Sequence, residues 1–186
     1  MKLLGHPFKS IVSRIEEQSV NGETPAEHVL RLSRLKAQDV GSRLEHGIVI
    51  GSDTVVVLDD IIIEKPGSPD EAVAMLMRLQ GRTHTVYTGF ALYDAENGRT
   101  ISDYETTDVT MREMSEELAR RYVLTGEPLD KAGAYGIQGY GSALVISIKG
   151  CYFTVMGLPL AKLMEALNAF TGGRYGYFGT SVESNT

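Results

Sequence analysis

The 186 residues are enough for one domain with a sizeable core, and 42% hydrophobic and 23% charged residues are ordinary for a soluble globular chain. A formal net charge of −6 disfavours wholesale binding to nucleic acid or an anionic membrane, although an acidic protein still holds a polyphosphate where lysines, amides and metal ions converge. The one cysteine, Cys151, excludes an intramolecular disulfide and a multi-cysteine zinc site and fits a reducing cytoplasm.

No apolar run approaches the roughly 18 residues of a membrane span, and the opening MKLLGHPFKS is broken by Gly5, His6 and Pro7, a poor signal peptide. Thr24-Pro25-Ala26-Glu27 opens the first predicted helix: Thr24 caps it, Pro25 takes the first helical position and Glu27 completes a capping box. The helix is expected to reach about Val40, with Val29, Leu32 and Leu35 inward and Arg31, Arg34 and Lys36 distributed around it. Residues 48–57 are β-branched and nearly continuous, the pattern of a buried strand. Ser68-Pro69-Asp70-Glu71 repeats the helix-start grammar, and Gly81 closes that helix. Residues 83–93 and 100–111 read as two long strands, joined by a hairpin at Asn97-Gly98. Ser115 caps a further helix that ends near Thr125-Gly126. A glycine-rich stretch leads to a strand at 143–148 and a last helix from Pro159 to about Phe170. Residues 1–170 read as a single domain, and 171–186, without periodicity, as a mobile tail. Helices alternating with strands, interrupted by one hairpin, predict an α/β (α+β) domain with a mixed, twisted sheet flanked by helices.

Several residues stand out as candidates for chemistry. Asp53 lies inside the apolar strand 48–57, where a carboxylate is tolerated if it is paired, hydrogen-bonded or metal-bound. It reads either as a strand-end aspartate bonding locally or as a functional group. Lys65 and Lys36 read first as solvated lysines, at a strand end and on a helix. Between Glu127 and Gly141, the glycines at 133, 136, 139 and 141 would let backbone approach a ligand closely. There Gln138 offers an acceptor and donors suited to a base edge or ribose, and Lys131 a point charge suited to phosphate. A plain chain reversal explains the same glycines, and the stretch matches neither the Walker nor the Rossmann pattern. His28 and His84 have no partner at metal-ligand spacing and read as structural or solvated. Cys151 reads as an inert buried thiol on a strand, and Tyr152 and Phe153 as core.

Taken in order, GSDTVVV, EKP, LQGRTHTVYTGFAL, YVLTGEPLDKAGAYGIQGYGS and VMGLPLAKL closely resemble the Maf family over about residues 3–167. The resemblance implies a fold with a cleft between two lobes, and a nucleoside triphosphate pyrophosphatase that yields the monophosphate and pyrophosphate. It implies that Asp53 is the proton acceptor and that Thr54 and Gln138 govern substrate choice. A threonine after the aspartate resembles the branch acting on dTTP and UTP, whereas the branch acting on 7-methyl-GTP carries glutamine there. Lys36, Lys65, Asp130 and Lys131 are implied as charged residues lining the cleft. Glu17, in Ile15-Glu16-Glu17, is implied as an acid near the phosphates and, with Asp53, near a divalent Mg²⁺ or Mn²⁺. The expected partner is a nucleoside triphosphate, with a homodimer left open beside a monomer and neither nucleic acid nor membrane expected. The family pattern also places a Ser-x-Ser-Pro-Arg-Arg segment ahead of Leu-Gly-x-Pro-Phe. This sequence begins at Met1-Lys2-Leu3-Leu4-Gly5-His6-Pro7-Phe8, so a weaker phosphate clamp is expected of it. The resemblance therefore carries two alternatives: a nucleotide-binding or regulatory protein linked to septum formation, and a house-cleaning pyrophosphatase for noncanonical purines such as ITP.

Overall fold

The computed structural model describes residues 1–18 and 20–178; of the expected tail, residues 179–186 lie outside the described residues. Helix α1 (Pro25–Gly41) starts as its sequence dictates: the Glu27 amide donates to Thr24 Oγ1 at 3.3 Å and the Thr24 amide donates to Glu27 Oε2 at 2.9 Å. Its buried stripe runs through His28, Val29, Leu32, Ser33, Ala37 and Val40. Leu35, expected inward, is 38% exposed, because it falls between the turns of that 3.6-residue stripe.

Strands β1 (Ile48–Leu58), β2 (Ile61–Ile63), β3 (Thr83–Asp94), β4 (Thr100–Met111) and β5 (Val145–Gly150) form one five-stranded sheet in the order β2-β1-β3-β4-β5. The α/β class is as expected. The pairings are nevertheless all antiparallel, not mixed, because α2 (Pro69–Leu79) returns the chain so that β3 runs against β1, and a hairpin makes β4. β5 starts two residues later than expected, since residues 140–144 wind into a 3₁₀ turn. The outer edge of β1 pairs with β2 only at Val56, Val57 and Leu58; along 48–55 it has no ladder partner among the described residues.

Alternation along β1 sorts its side chains between two layers. Val55 and Val57 pack with Val29 of α1, whereas Val56 and Leu58 join Leu76 and Leu79 of α2 and Tyr122 and Val123 of α3 (Glu116–Val123) on the other face. Further along that second face, Phe90 and Leu92 of β3 pack against Leu163 and Leu167 of α5 (Leu160–Phe170). Full burial of each such side chain contributes about 1.5–3 kcal/mol. Arg99, at the hairpin end, donates to the Phe170 carbonyl and lies 4.1 Å over the Phe170 ring, fixing the end of α5.

The four-residue helix α4 (Tyr152–Val155) replaces the strand expected around Cys151. Cys151 is half-buried rather than buried, and Tyr152 is 39% exposed, so only Phe153 of that aromatic pair joins the core.

Helix α1 lies unusually close to the sheet. A Cβ on Gly51 of β1 would fall 2.3 Å from the Ser33 carbonyl oxygen, and one on Gly89 of β3 would fall 2.4 Å from that of Val29. Two glycines facing one helix remove the side-chain layer that normally separates helix from sheet.

Candidate active site

Asp53 shares the α1 face of the sheet with Gly51 and pairs across the ladder with Gly89. The close approach of α1 therefore sets helix side chains directly on the carboxylate. Lys36 Nζ donates to Asp53 Oδ1 at 2.7 Å and lies 2.9 Å from Glu17 Oε1. Burial alone would push the Lys36 ammonium down, but the hydrogen bonds and charges of Asp53 and Glu17 outweigh it and hold its pKa above the ordinary value. The solvated-lysine reading of Lys36 is thus corrected: its side chain is only 18% exposed and anchors an acid at either side.

His28, about two turns of α1 before Lys36, lies on the other side of the carboxylate, with Nε2 3.9 Å from Asp53 Oδ2 and Nδ1 3.1 Å from Glu23 Oε2. Glu23 in turn accepts two hydrogen bonds from Arg31, at 2.6 and 2.7 Å, which chiefly hold its carboxyl below the usual range. Asp53 Oδ2 is buried and has no hydrogen-bond partner. Leaving such an atom without a partner costs about 1–3 kcal/mol.

The opposite wall of the cleft comes from Glu64 and Lys65 and from the chain between Glu127 and Gly139. The Gly133 amide donates to the Glu64 carbonyl at 3.1 Å, tying the two segments together. Lys131 Nζ donates to Asp130 Oδ1 at 2.7 Å; that bond foremost, with the nearby charge of Lys65, holds the Asp130 carboxyl below its usual range. Lys65 is exposed where it lines the cleft.

Gln138 lies on a loop pinned by Glu127. The Glu127 carboxylate accepts from the Tyr122 hydroxyl at 2.8 Å and from the amides of Tyr140 and Gly141 at 2.8 and 3.0 Å, while the Tyr122 oxygen accepts from the Gly136 amide at 3.0 Å. Burial would raise the Glu127 pKa, but these bonds prevail and lower it. A Cβ at Gly139 would fall 1.9 Å from Glu127 Oε2 and displace the carboxylate from its donors. The glycine-rich stretch is thus a tied loop rather than a plain reversal.

These walls enclose a cleft of about 770 Å³ along the unpaired edge of β1. Asp53 reaches it from one face of the strand and Thr54 from the other, and Glu17, Lys36, Lys65, Asp130, Lys131 and Gln138 line the same space. All eight residues singled out in the sequence therefore converge on one cleft. His28 was read as structural or solvated, and Glu23 and Glu127 were not singled out. Their contacts run to residues 25, 5 and 14 positions away, so no local pattern announces them. Among the described residues no group of three or more His, Cys, Asp or Glu gathers as a cation site. Asp53 and Glu17, both held by the Lys36 ammonium, are the carboxylates at hand, and a hard cation that takes one or two carboxylates and completes its shell with phosphate oxygens is the kind such a pair suits.

Fold and cleft together are those of an α/β protein with a charged groove along a sheet edge. A family model described as Maf-like protein matches residues 1–170. The dTTP/UTP pyrophosphatase of Pelotomaculum thermopropionicum is 45% identical over 170 residues, covering 91% of this chain and 89% of that protein. The dTTP/UTP pyrophosphatases of Bacillus cytotoxicus (44% over 173 residues, 93% and 90% covered) and Thermoanaerobacter pseudethanolicus (46% over 165 residues, 88% and 86%) are similarly close. The chain belongs to the Maf-like protein family.

Proposed function

We propose that the chain hydrolyses dTTP and UTP to the nucleoside monophosphate and pyrophosphate. Water attacks the α-phosphorus, the bond from that phosphorus to the α–β bridging oxygen breaks, and pyrophosphate leaves with the bonding pair. The observation that carries this reading is the state of Asp53: Lys36 holds Oδ1, and Oδ2 is a desolvated acceptor left without a donor. The Asp53 carboxylate takes the proton of the attacking water, and Lys36 orients it. Lys65 and Lys131, on the opposite wall, offset charge on the phosphate oxygens and on the leaving pyrophosphate. Gln138 and Thr54 meet the nucleoside. Asp53 and Glu17 would hold a divalent Mg²⁺ or Mn²⁺ ion, which supplies Lewis-acid neutralisation of phosphate charge when bound.

The test is pyrophosphate release from dTTP, UTP, 5-methyl-UTP, ITP and 7-methyl-GTP. The expected result is turnover of the first three well above the purines. Nucleotide binding without any release would overturn the reading in favour of a regulatory protein, and preferential turnover of ITP would overturn the pyrimidine assignment.

A further inference from the structure

Thr54 and Thr88 face each other across the β1–β3 ladder on the face opposite Asp53. Their hydroxyl oxygens are 2.9 Å apart, and the Thr88 hydroxyl, fully buried, also lies 2.7 Å from the backbone carbonyl of Thr154 at the end of α4. A carbonyl only accepts, so the single proton of the Thr88 hydroxyl is committed to Thr154. Between the two threonines Thr88 must then accept, and Thr54 must donate. The single proton of Thr54 is thereby committed as well, and its hydroxyl presents only lone pairs to the cleft it lines.

The surroundings suit a ring rather than a phosphate. Val155, Met156 and Gly157, which follow Thr154 in the chain, line the cleft with apolar side chains and backbone rather than charge. Ser52 Oγ lies 2.7 Å from the Gly157 carbonyl and 2.8 Å from that of Gly89, with one proton between the two acceptors. A Cβ at position 157 would stand 3.3 Å from Thr54 Oγ1 on backbone of φ +94°, so glycine leaves the oxygen open.

We infer that Thr88 is a specificity-determining positioning residue: by fixing the Thr54 hydroxyl as an acceptor, it selects a base with a ring N–H, the N3–H of uracil or thymine, over cytosine, whose N3 carries a lone pair. The inference rests on the proposed reading of the cleft as a pyrimidine nucleotide site.

The test is calorimetric binding of UMP and CMP to the wild type and to Thr88→Val and Thr88→Ser, with pyrophosphate release from UTP and CTP in parallel. The wild type is expected to prefer UMP. Thr88→Val, which keeps the shape but frees the Thr54 proton, should lower the UMP-over-CMP ratio about tenfold, the scale of one misdirected hydrogen bond, and Thr88→Ser should restore it. If Thr88→Val does not fold, Thr54→Val, which removes the acceptor and leaves the Thr88–Thr154 bond, should lower the ratio equally. A wild type indifferent between UMP and CMP overturns the inference. So does a Thr88→Val protein, or in its place a Thr54→Val protein, that weakens both ligands alike with the ratio unchanged. A UMP preference without any UTP hydrolysis sinks the pyrophosphatase reading and leaves this inference standing.

Discussion

Asp53 and Gly89 are cross-strand partners, and the place of the absent side chain at 89 is taken by the Val29 carbonyl of α1. The carboxylate thus owes its lysine to a glycine on a different strand. Replacing Gly89 with alanine should force α1 outward against backbone that cannot yield locally, as should Gly51→Ala, where Ser33 and Ala37 stand in the way. Each is expected to cost about 1–3 kcal/mol, in the range of overpacked cores. Pyrophosphate release should fall together with the melting temperature. A Gly89→Ala protein of wild-type stability and activity would show that the close approach is not required.

Asp53→Asn should reduce pyrophosphate release by about 10²–10³ while leaving the circular dichroism spectrum native. Lys36→Met is expected to differ in kind. It strips the charge partner from a buried carboxylate, so stability drops along with turnover. Equal melting temperatures for Lys36→Met and the wild type would count against the pair as a structural element.

Glu127 makes its prediction through substrate affinity. Glu127→Gln removes the charge that three donors share and replaces one acceptor oxygen with a donor aimed at backbone N–H groups. The loop carrying Gln138 should loosen, raising KM for UTP about tenfold with kcat changed far less. Steady-state kinetics decides it: a loss confined to kcat would place Glu127 in the chemistry instead.

A buried histidine sets part of the acid sensitivity. His84 is 2% exposed, its Nε2 is 2.8 Å from the Tyr135 hydroxyl, and burial pushes its pKa from the ordinary 6.5 down to about 4 against the weaker pull of Asp108. Above pH 6.5 the imidazole is neutral whether the chain is folded or not, and stability is independent of it. Between 6.5 and about 4 only the unfolded chain takes up the proton, so stability falls with acid by a total of about 3 kcal/mol. His84→Gln, which can keep the bond to Tyr135, should flatten the decline of stability over that interval. Identical slopes for both proteins in denaturant titrations at each pH would refute this.

Much of the architecture could be read along the chain because its signals are local. The Thr24 and Ser68 caps, the Asn97-Gly98 hairpin and the apolar run of β1 each act within a few residues, and each element lies close to where its pattern puts it. Leu35 is apolar, but helical phase turns it away from the sheet. The sheet was expected to be mixed because alternating helices and strands do not reveal strand direction, which here the return through α2 reverses. At the site, Asp53 stood out as a charge in an apolar run, and the family resemblance supplied its companions. Neither could indicate why Lys36 reaches it. That depends on two glycines whose role exists only once β1, β3 and α1 are stacked. Thr88 was equally silent, since the direction of a hydroxyl proton follows from a carbonyl 66 positions away.

The unpaired stretch of β1 has a consequence for solubility. A bare strand edge with free N–H and C=O groups is a template on which another chain can add a strand. Between 48 and 55 this edge carries a buried carboxylate clamped by an ammonium, and an incoming apolar strand would have to cover both. The charge pair therefore also guards the sheet edge against self-assembly, and a neutral residue at 53 is expected to leave a stickier molecule.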